Sequence, residues 1–218
     1  MPDSPATDAS WVVVVPVKEL GAAKSRLHPL APADRADLAL AMASDVVMAT
    51  RASASVVAVF VITNDLRAAE ACAALGARVI ADADDAGLNP ALENAARAAV
   101  SWHPRAGVAA LAADLPALRT AEVDAALTAA ARHHRAFVPD WRTTGTTLLA
   151  ARAGVPLAPA FGHGSRDGHR SSGAVELMTA EWLGLRRDVD TPEDLRAAGQ
   201  LGVGPCTRRV LDRLGMVP

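Results

Sequence analysis

Apolar and polar positions follow two rhythms along this chain. Short β-branched runs bounded by turn residues predict strands over 11–17, 56–63, 78–81, 108–113, 136–139, 146–151 and 185–189. Alanine- and leucine-rich segments at helical spacing predict helices over 33–51, 66–75, 90–102, 120–134, 173–182 and 192–201. In the first of these, Leu38, Met42, Asp45 and Val46 mark one face, whose apolar members are core positions.

Strands alternating with helices read as βαβ units around a mostly parallel sheet, and so as a three-layer α/β fold. The strands are nearly continuous apolar runs, as expected when helices cover both sheet faces. The rhythm breaks after about residue 135. Two strands then follow closely, and the stretch 156–172, rich in Gly, Pro, His and Arg, has no period. A long irregular loop inside a compact domain is usually functional or mobile. No repeat or linker divides the chain, so we expect a disordered tail over 1–10 and one domain over 11–218.

Composition narrows the function classes. Of 218 residues, 51% are hydrophobic and 21% charged, which excludes a disordered chain. Lys plus Arg number 22 against 24 Asp plus Glu, a net charge of −2, so general nucleic-acid binding is not expected. A local basic site for a small anion stays open. Cys72 and Cys206 are far apart in sequence and outside any zinc-type spacing, which excludes a disulfide scaffold. Residues 1–10 lack the basic-then-apolar order of a signal peptide, and the run 11–15 is too short to span a membrane. A cytoplasmic protein without membrane contact is the expectation.

In a parallel sheet, ligands bind beyond the carboxyl ends of the strands, so the residues following each strand carry the candidate chemistry. After the first come Pro16, Lys18, Lys24 and Arg26, three cations in a short loop able to grip a polyphosphate. The plainer account is a solvated basic loop. Neither a Walker A loop nor a GxGxxG fingerprint fits here, because only Gly21 is present. Asp114 follows the apolar run of a candidate central strand, where a carboxylate must be solvated, paired or bound to a cation. Capping the next helix is the local alternative for Asp114, but Thr120 is better placed for it.

Asp188 and Asp190 are alternate residues at the end of the last predicted strand, while Thr191 and Asp194 form a capping box for the following helix. Together with Asp114 these two carboxylates suit Mg²⁺, which takes a few carboxylates plus substrate phosphates. Thr144, Gly145 and Thr146 enter the irregular stretch, which holds Gly162, Gly164, Ser165, Arg166, His169 and Arg170. Glycine amides with hydroxyl and guanidinium donors make a pocket for a small, highly anionic molecule. Ser171 or Ser172 would cap the next helix. A plain glycine-rich surface loop is the alternative. His163 and His169, like His133 and His134 on a helix, lack metal spacing and read as surface residues. Asn89, entering a helix after Gly87, is a further candidate for nucleotide contact.

The ordered set PVKELGAAKSRL, GLNPAL, ADLP, GTT, FGHGS with HRSSGA, and DVDTPEDL resembles the guanylyltransferases of coenzyme F-420 biosynthesis, called CofC in archaea and FbiD in actinobacteria. The similarity runs from about Trp11 to Pro205. It implies a GT-A-like, Rossmann-like nucleotidyltransferase fold and transfer of GMP from GTP onto phosphoenolpyruvate, or onto 2-phospho-L-lactate in the archaeal branch. Pyrophosphate is released, and a downstream transferase would pass the product to the deazaflavin precursor. By the resemblance, phosphoacid contacts fall on Thr146, Gly162 and Ser165, metal ligation on Asp114 with Asp188 or Asp190, and triphosphate contact on Lys18, Lys24 and Arg26. The bulky approach 139–142, with Trp141, departs from the family pattern on the acceptor side. Two alternatives remain: a nucleotidyltransferase of other specificity, using CTP or making molybdopterin dinucleotides, and a non-catalytic nucleotide-binding module. 3-Phosphoglycerate is a third candidate acceptor.

Overall fold

The computed structural model describes residues 10–22, 24, 26–27, 29–82 and 87–216. All but one residue of the expected tail lies outside them. Among the described residues, seven strands form one sheet: β1 (Trp11–Pro16), β2 (Val56–Ile62), β3 (Arg78–Ile80), β4 (Gly107–Leu111), β5 (Arg135–Pro139), β6 (Thr146–Ala151) and β7 (Val175–Glu176). Their order is β3-β2-β1-β4-β6-β5-β7. Strand β6 is antiparallel to both β4 and β5, and the other neighbouring pairs are parallel.

The apolar run of β1 is explained by its central place, because both of its faces are covered. Val13 and Val15 pack with α1 (Pro32–Arg51), α2 (Leu66–Ala74) and α4 (Thr120–Ala130) on one face. Val12 and Val14 pack with α3 (Leu88–Trp102) on the other. The three-layer, mostly parallel α/β expectation therefore holds. A third cluster joins Leu38 and Met42 of α1 to α6 (Pro192–Leu201) and α7 (Pro205–Arg213). Asp45, on that helix's inward face, is 5% exposed, and its carboxylate accepts from the Cys206 and Thr207 amides at 2.9 and 2.8 Å. It thereby caps α7, a helix the sequence pattern did not predict.

Several expectations are corrected in the second half. Residues 185–189 form no strand; Leu185 and Val189 are buried within an irregular segment. Residues 173–182 are not a helix but contain the short strand β7. The stretch 156–172, expected to be irregular throughout, ends in helix α5 (Ser165–Ser171). Ser171 and Ser172 therefore close α5 instead of capping a following helix. Thr120 is inside α4, with Arg119 at the cap position, and its hydroxyl donates to Ala49 O at 2.9 Å. His133 and His134 lie beyond the end of α4. The capping box of Thr191 and Asp194 is present as expected.

Candidate active site

The carboxyl ends of β1 and β4 open onto a cleft of about 480 Å³, lined among others by Pro16, Lys18, Lys24, Arg26, Asp114 and Phe161. Two buried leucines fix the loop that follows β1. Leu20 is 2% exposed, and its amide donates to Asp65 Oδ2 at 3.0 Å, the carboxylate that also caps α2. Leu27 sinks into the third cluster. Between them Lys24 takes a left-handed backbone (φ 55°), which a side chain tolerates only where its surroundings hold it.

Those surroundings are carboxylates. Lys24 Nζ donates to Asp114 Oδ2 at 2.5 Å and to Asp190 Oδ1 at 3.3 Å. Burial by itself would lower the lysine pKa, but Asp114 and then Asp190 outweigh it and hold the ammonium above its ordinary value. Lys18 and Arg26 line the same cleft with exposed side chains. The basic loop and the strand-end aspartate thus meet, as the sequence implied.

Asp188 differs from its neighbours. Its Oδ1 is buried with no hydrogen-bond partner. Burial, followed by the nearby charges of Asp114 and Asp140, pushes its carboxyl up to about 7. With no strand over 185–189, the aspartates are not alternate positions of a strand end. Among the described residues, no three His, Cys, Asp or Glu side chains stand ready to hold a metal ion. Yet carboxylates that outnumber the one lysine between them, one with an orphaned buried oxygen, suit a cation. A divalent cation that is completed by phosphates and water needs few protein carboxylates.

Of the segment that leads to Gly162 and Ser165, Phe161 lines this cleft. The β4–β6 register pairs Leu111 with Leu148 and continues in the bond from Ala112 N to Thr147 O (2.8 Å). The pairing thus runs as far as Ala112 and Thr147, the immediate neighbours in sequence of Ala113 and Thr146. Ser165 opens α5 and is 3% exposed. Gly162 and Gly164 have φ of 134° and 69°, so a side chain at either would strain the turn into α5.

Three expected ligands are engaged within the protein. The Asn89 amide accepts from Phe161 N at 2.8 Å and donates to Phe161 O at 3.0 Å, clamping the segment that leads to Gly162. Arg166 holds Glu176 Oε1 at 2.9 and 3.0 Å and Thr143 O at 3.0 Å. Arg170 pairs with the same Glu176. Burial would raise the Glu176 pKa, but the two guanidiniums hold it below the ordinary carboxylate value. These arginines tie α5 to β7.

The surface assignment of His169 is overturned: it is 0% exposed. Its ring bonds Thr146 Oγ1 and Ala160 N, both at 2.9 Å, and packs on Phe161 with ring centroids 5.0 Å apart. Burial, and then Arg135, lowers its pKa to about 4. The one sequence signal was the i, i+4 spacing of Ser165 and His169, which puts both on the inner face of a short helix.

A doubly covered sheet with a cationic loop and a carboxylate beyond its central strands is an arrangement shared with nucleotidyltransferases of the nucleotide-diphospho-sugar transferase fold. A Desulfovibrio desulfuricans G20 protein described as a nucleotide-diphospho-sugar transferase superposes with a TM-score of 0.71 at 17% identity, over 96% of each chain. The model of the family "Guanylyl transferase CofC like" matches residues 11–217, and the chain belongs to that family. A relative from Thermomonospora curvata, named phosphoenolpyruvate guanylyltransferase, is 51% identical over 95% of this chain and 91% of its own. One of the same name from Streptomyces avermitilis is 54% identical over 94% and 95%. Among the described residues, no helix is long and apolar enough to cross a membrane.

Proposed function

We propose that this protein transfers GMP from GTP to phosphoenolpyruvate, giving enolpyruvyl-2-diphosphoguanosine and pyrophosphate. Family membership and the names of relatives about half identical along nearly the whole chain support the reaction. The observation that carries the site assignment is Lys24, held by Asp114 and Asp190 in a cleft that Phe161, the neighbour of Gly162, also lines.

The phosphate of phosphoenolpyruvate is largely dianionic at neutral pH, since such a second pKa is about 6. It is therefore a nucleophile without a general base. One of its oxygens attacks the α-phosphorus of GTP in line, forming the new P–O bond as the bond to the β-phosphate breaks. The electron pair leaves with pyrophosphate. The protein's part is to position two anions and neutralise their charge. Lys18, Lys24 and Arg26 face the triphosphate. Thr146, Gly162 and Ser165 receive the phosphoacid, with Asn89 and the Arg166/Arg170–Glu176 cluster bracing their segment. Asp114, with Asp190 or Asp188, would hold Mg²⁺, which supplies further charge neutralisation on the triphosphate when bound. The product is an activated diester, and a downstream deazaflavin-coupling transferase is its natural consumer.

The test is pyrophosphate release from purified protein with Mg²⁺ and GTP, offering phosphoenolpyruvate, 2-phospho-L-lactate and 3-phosphoglycerate separately, with CTP and ATP as controls. Because the product is labile, the assay is also run coupled to the downstream transferase and its acceptor. Release with GTP and phosphoenolpyruvate is expected. Release only with another phosphoacid or with CTP moves the specificity, and silence throughout overturns the reading.

A further inference from the structure

His169 is the buried junction of three segments: β6 through Thr146, the segment carrying Ala160 and Phe161, and α5 itself. Its hydrogen bonds determine its protonation. The Ala160 N–H points at Nε2, which must therefore present a lone pair. Phe161 and Phe137 pack around the ring, with centroids 5.0 and 5.8 Å away, and Arg135 is the cation that adds to burial in disfavouring the imidazolium. A neutral ring with a bare Nε2 carries its proton on Nδ1. The 2.9 Å contact with Thr146 Oγ1 then has one direction: His169 donates and Thr146 accepts.

That direction has a consequence for Thr146. A threonine hydroxyl that accepts from a histidine keeps its own proton to give. Among the described residues, no acceptor takes that proton. Thr146 opens β6, whose neighbour β4 leads into Asp114, and it is among the residues proposed to receive the phosphoacid.

We propose that His169 is a positioning residue for the phosphoacid. As a permanent Nδ1–H donor it turns the Thr146 hydroxyl into an obligate donor toward an anionic oxygen of that substrate. This rests on the guanylyltransferase reading and adds a residue that touches no substrate.

Two experiments test it. Nitrogen-15 spectra of the wild-type imidazoles at pH 7 are expected to give one neutral histidine protonated at Nδ1 and bare at Nε2. A ring protonated at Nε2, or a charged one, overturns the inference without touching the proposed reaction. Steady-state kinetics then use His169→Gln, whose side-chain carbonyl can still accept from Ala160 N–H but which offers Thr146 no ring N–H. We expect its KM for phosphoenolpyruvate to rise about tenfold, the scale of a hydrogen bond to a charged group, with KM for GTP unchanged.

Thr146→Val is expected to raise the same KM, and adding His169→Gln to it should cost nothing more, because the shared hydroxyl is already gone. A full additive loss in the double variant, or equal rises in both KM values, would show a merely structural histidine. A wild-type protein that releases no pyrophosphate with any phosphoacid overturns the guanylyltransferase reading and the substrate half of this inference together. The spectrum still decides the tautomer in that case.

Discussion

At the residue scale, the site consists of charges that make sense only in company. Lys24 carries a strained backbone and a buried ammonium, and both are maintained by Asp114 and Asp190. Replacing Asp114 removes the closest of these partners and one of the proposed metal ligands. Asp114→Ala is expected to lower kcat/KM by roughly a thousandfold or more, the scale seen when charge stabilisation is lost from a transition state. The Lys24 ammonium keeps Asp190 Oδ1 at 3.3 Å as a partner after that change, so it is not left unpaired and the fold should persist. Circular dichroism and the pyrophosphate assay check this together; near-normal turnover from folded variant would remove Asp114 from the mechanism.

At the element scale, short segments are held by single side chains. Asn89, in the first turn of α3, makes both hydrogen bonds to the Phe161 backbone. Asn89→Ala should cost about 1–3 kcal/mol and release the segment before Gly162. Faster amide exchange at Phe161, with a several-fold rise in KM for phosphoenolpyruvate, is the expected result. Unchanged exchange would mean that packing alone holds the segment. Asp45 does the same for α7, where Gly204 has no room for a side chain, since an added Cβ would lie 2.4 Å from the Asp45 carboxyl carbon. Asp45→Ala is expected to cost about 1–2 kcal/mol, the range for a lost helix cap, read as a lower denaturant midpoint without change in slope. The α1 pattern put Asp45 on an inward face, but nothing in the local sequence could say that a helix some 160 residues later would be its partner.

At the scale of the whole molecule, the buried histidine links folding to pH. The folded protein keeps His169 neutral, with a pKa of about 4, whereas an unfolded chain protonates it near 6.5. Between these values the unfolded state binds the extra proton. Stability from this group is thus complete above the unfolded value and drains away as pH falls to about 4, a loss of about 3 kcal/mol. Unfolding free energies of wild type and His169→Gln at pH 7.5 and 4.5 should differ in their pH change by about 2–3 kcal/mol. Parallel pH dependences would place the charged form inside the fold. The alternating rhythm of the chain by itself determined the strands of the three-layer sheet through β6, because runs such as 11–16 and 107–111 are apolar enough to demand burial on both faces. It also determined the basic loop and the strand-end Asp114, since a parallel sheet places whatever follows its strands in one crevice. Between β6 and α6 the periodicity fails: α5 is seven residues long with only Ser165 and His169 turned fully inward, and 185–189 is apolar because it is buried, not because it is a strand. The directions of Arg166 and Arg170, the engagement of Asn89 and the burial of His169 were decided by the tertiary structure, because each depends on a partner outside its own helix that helical spacing does not encode.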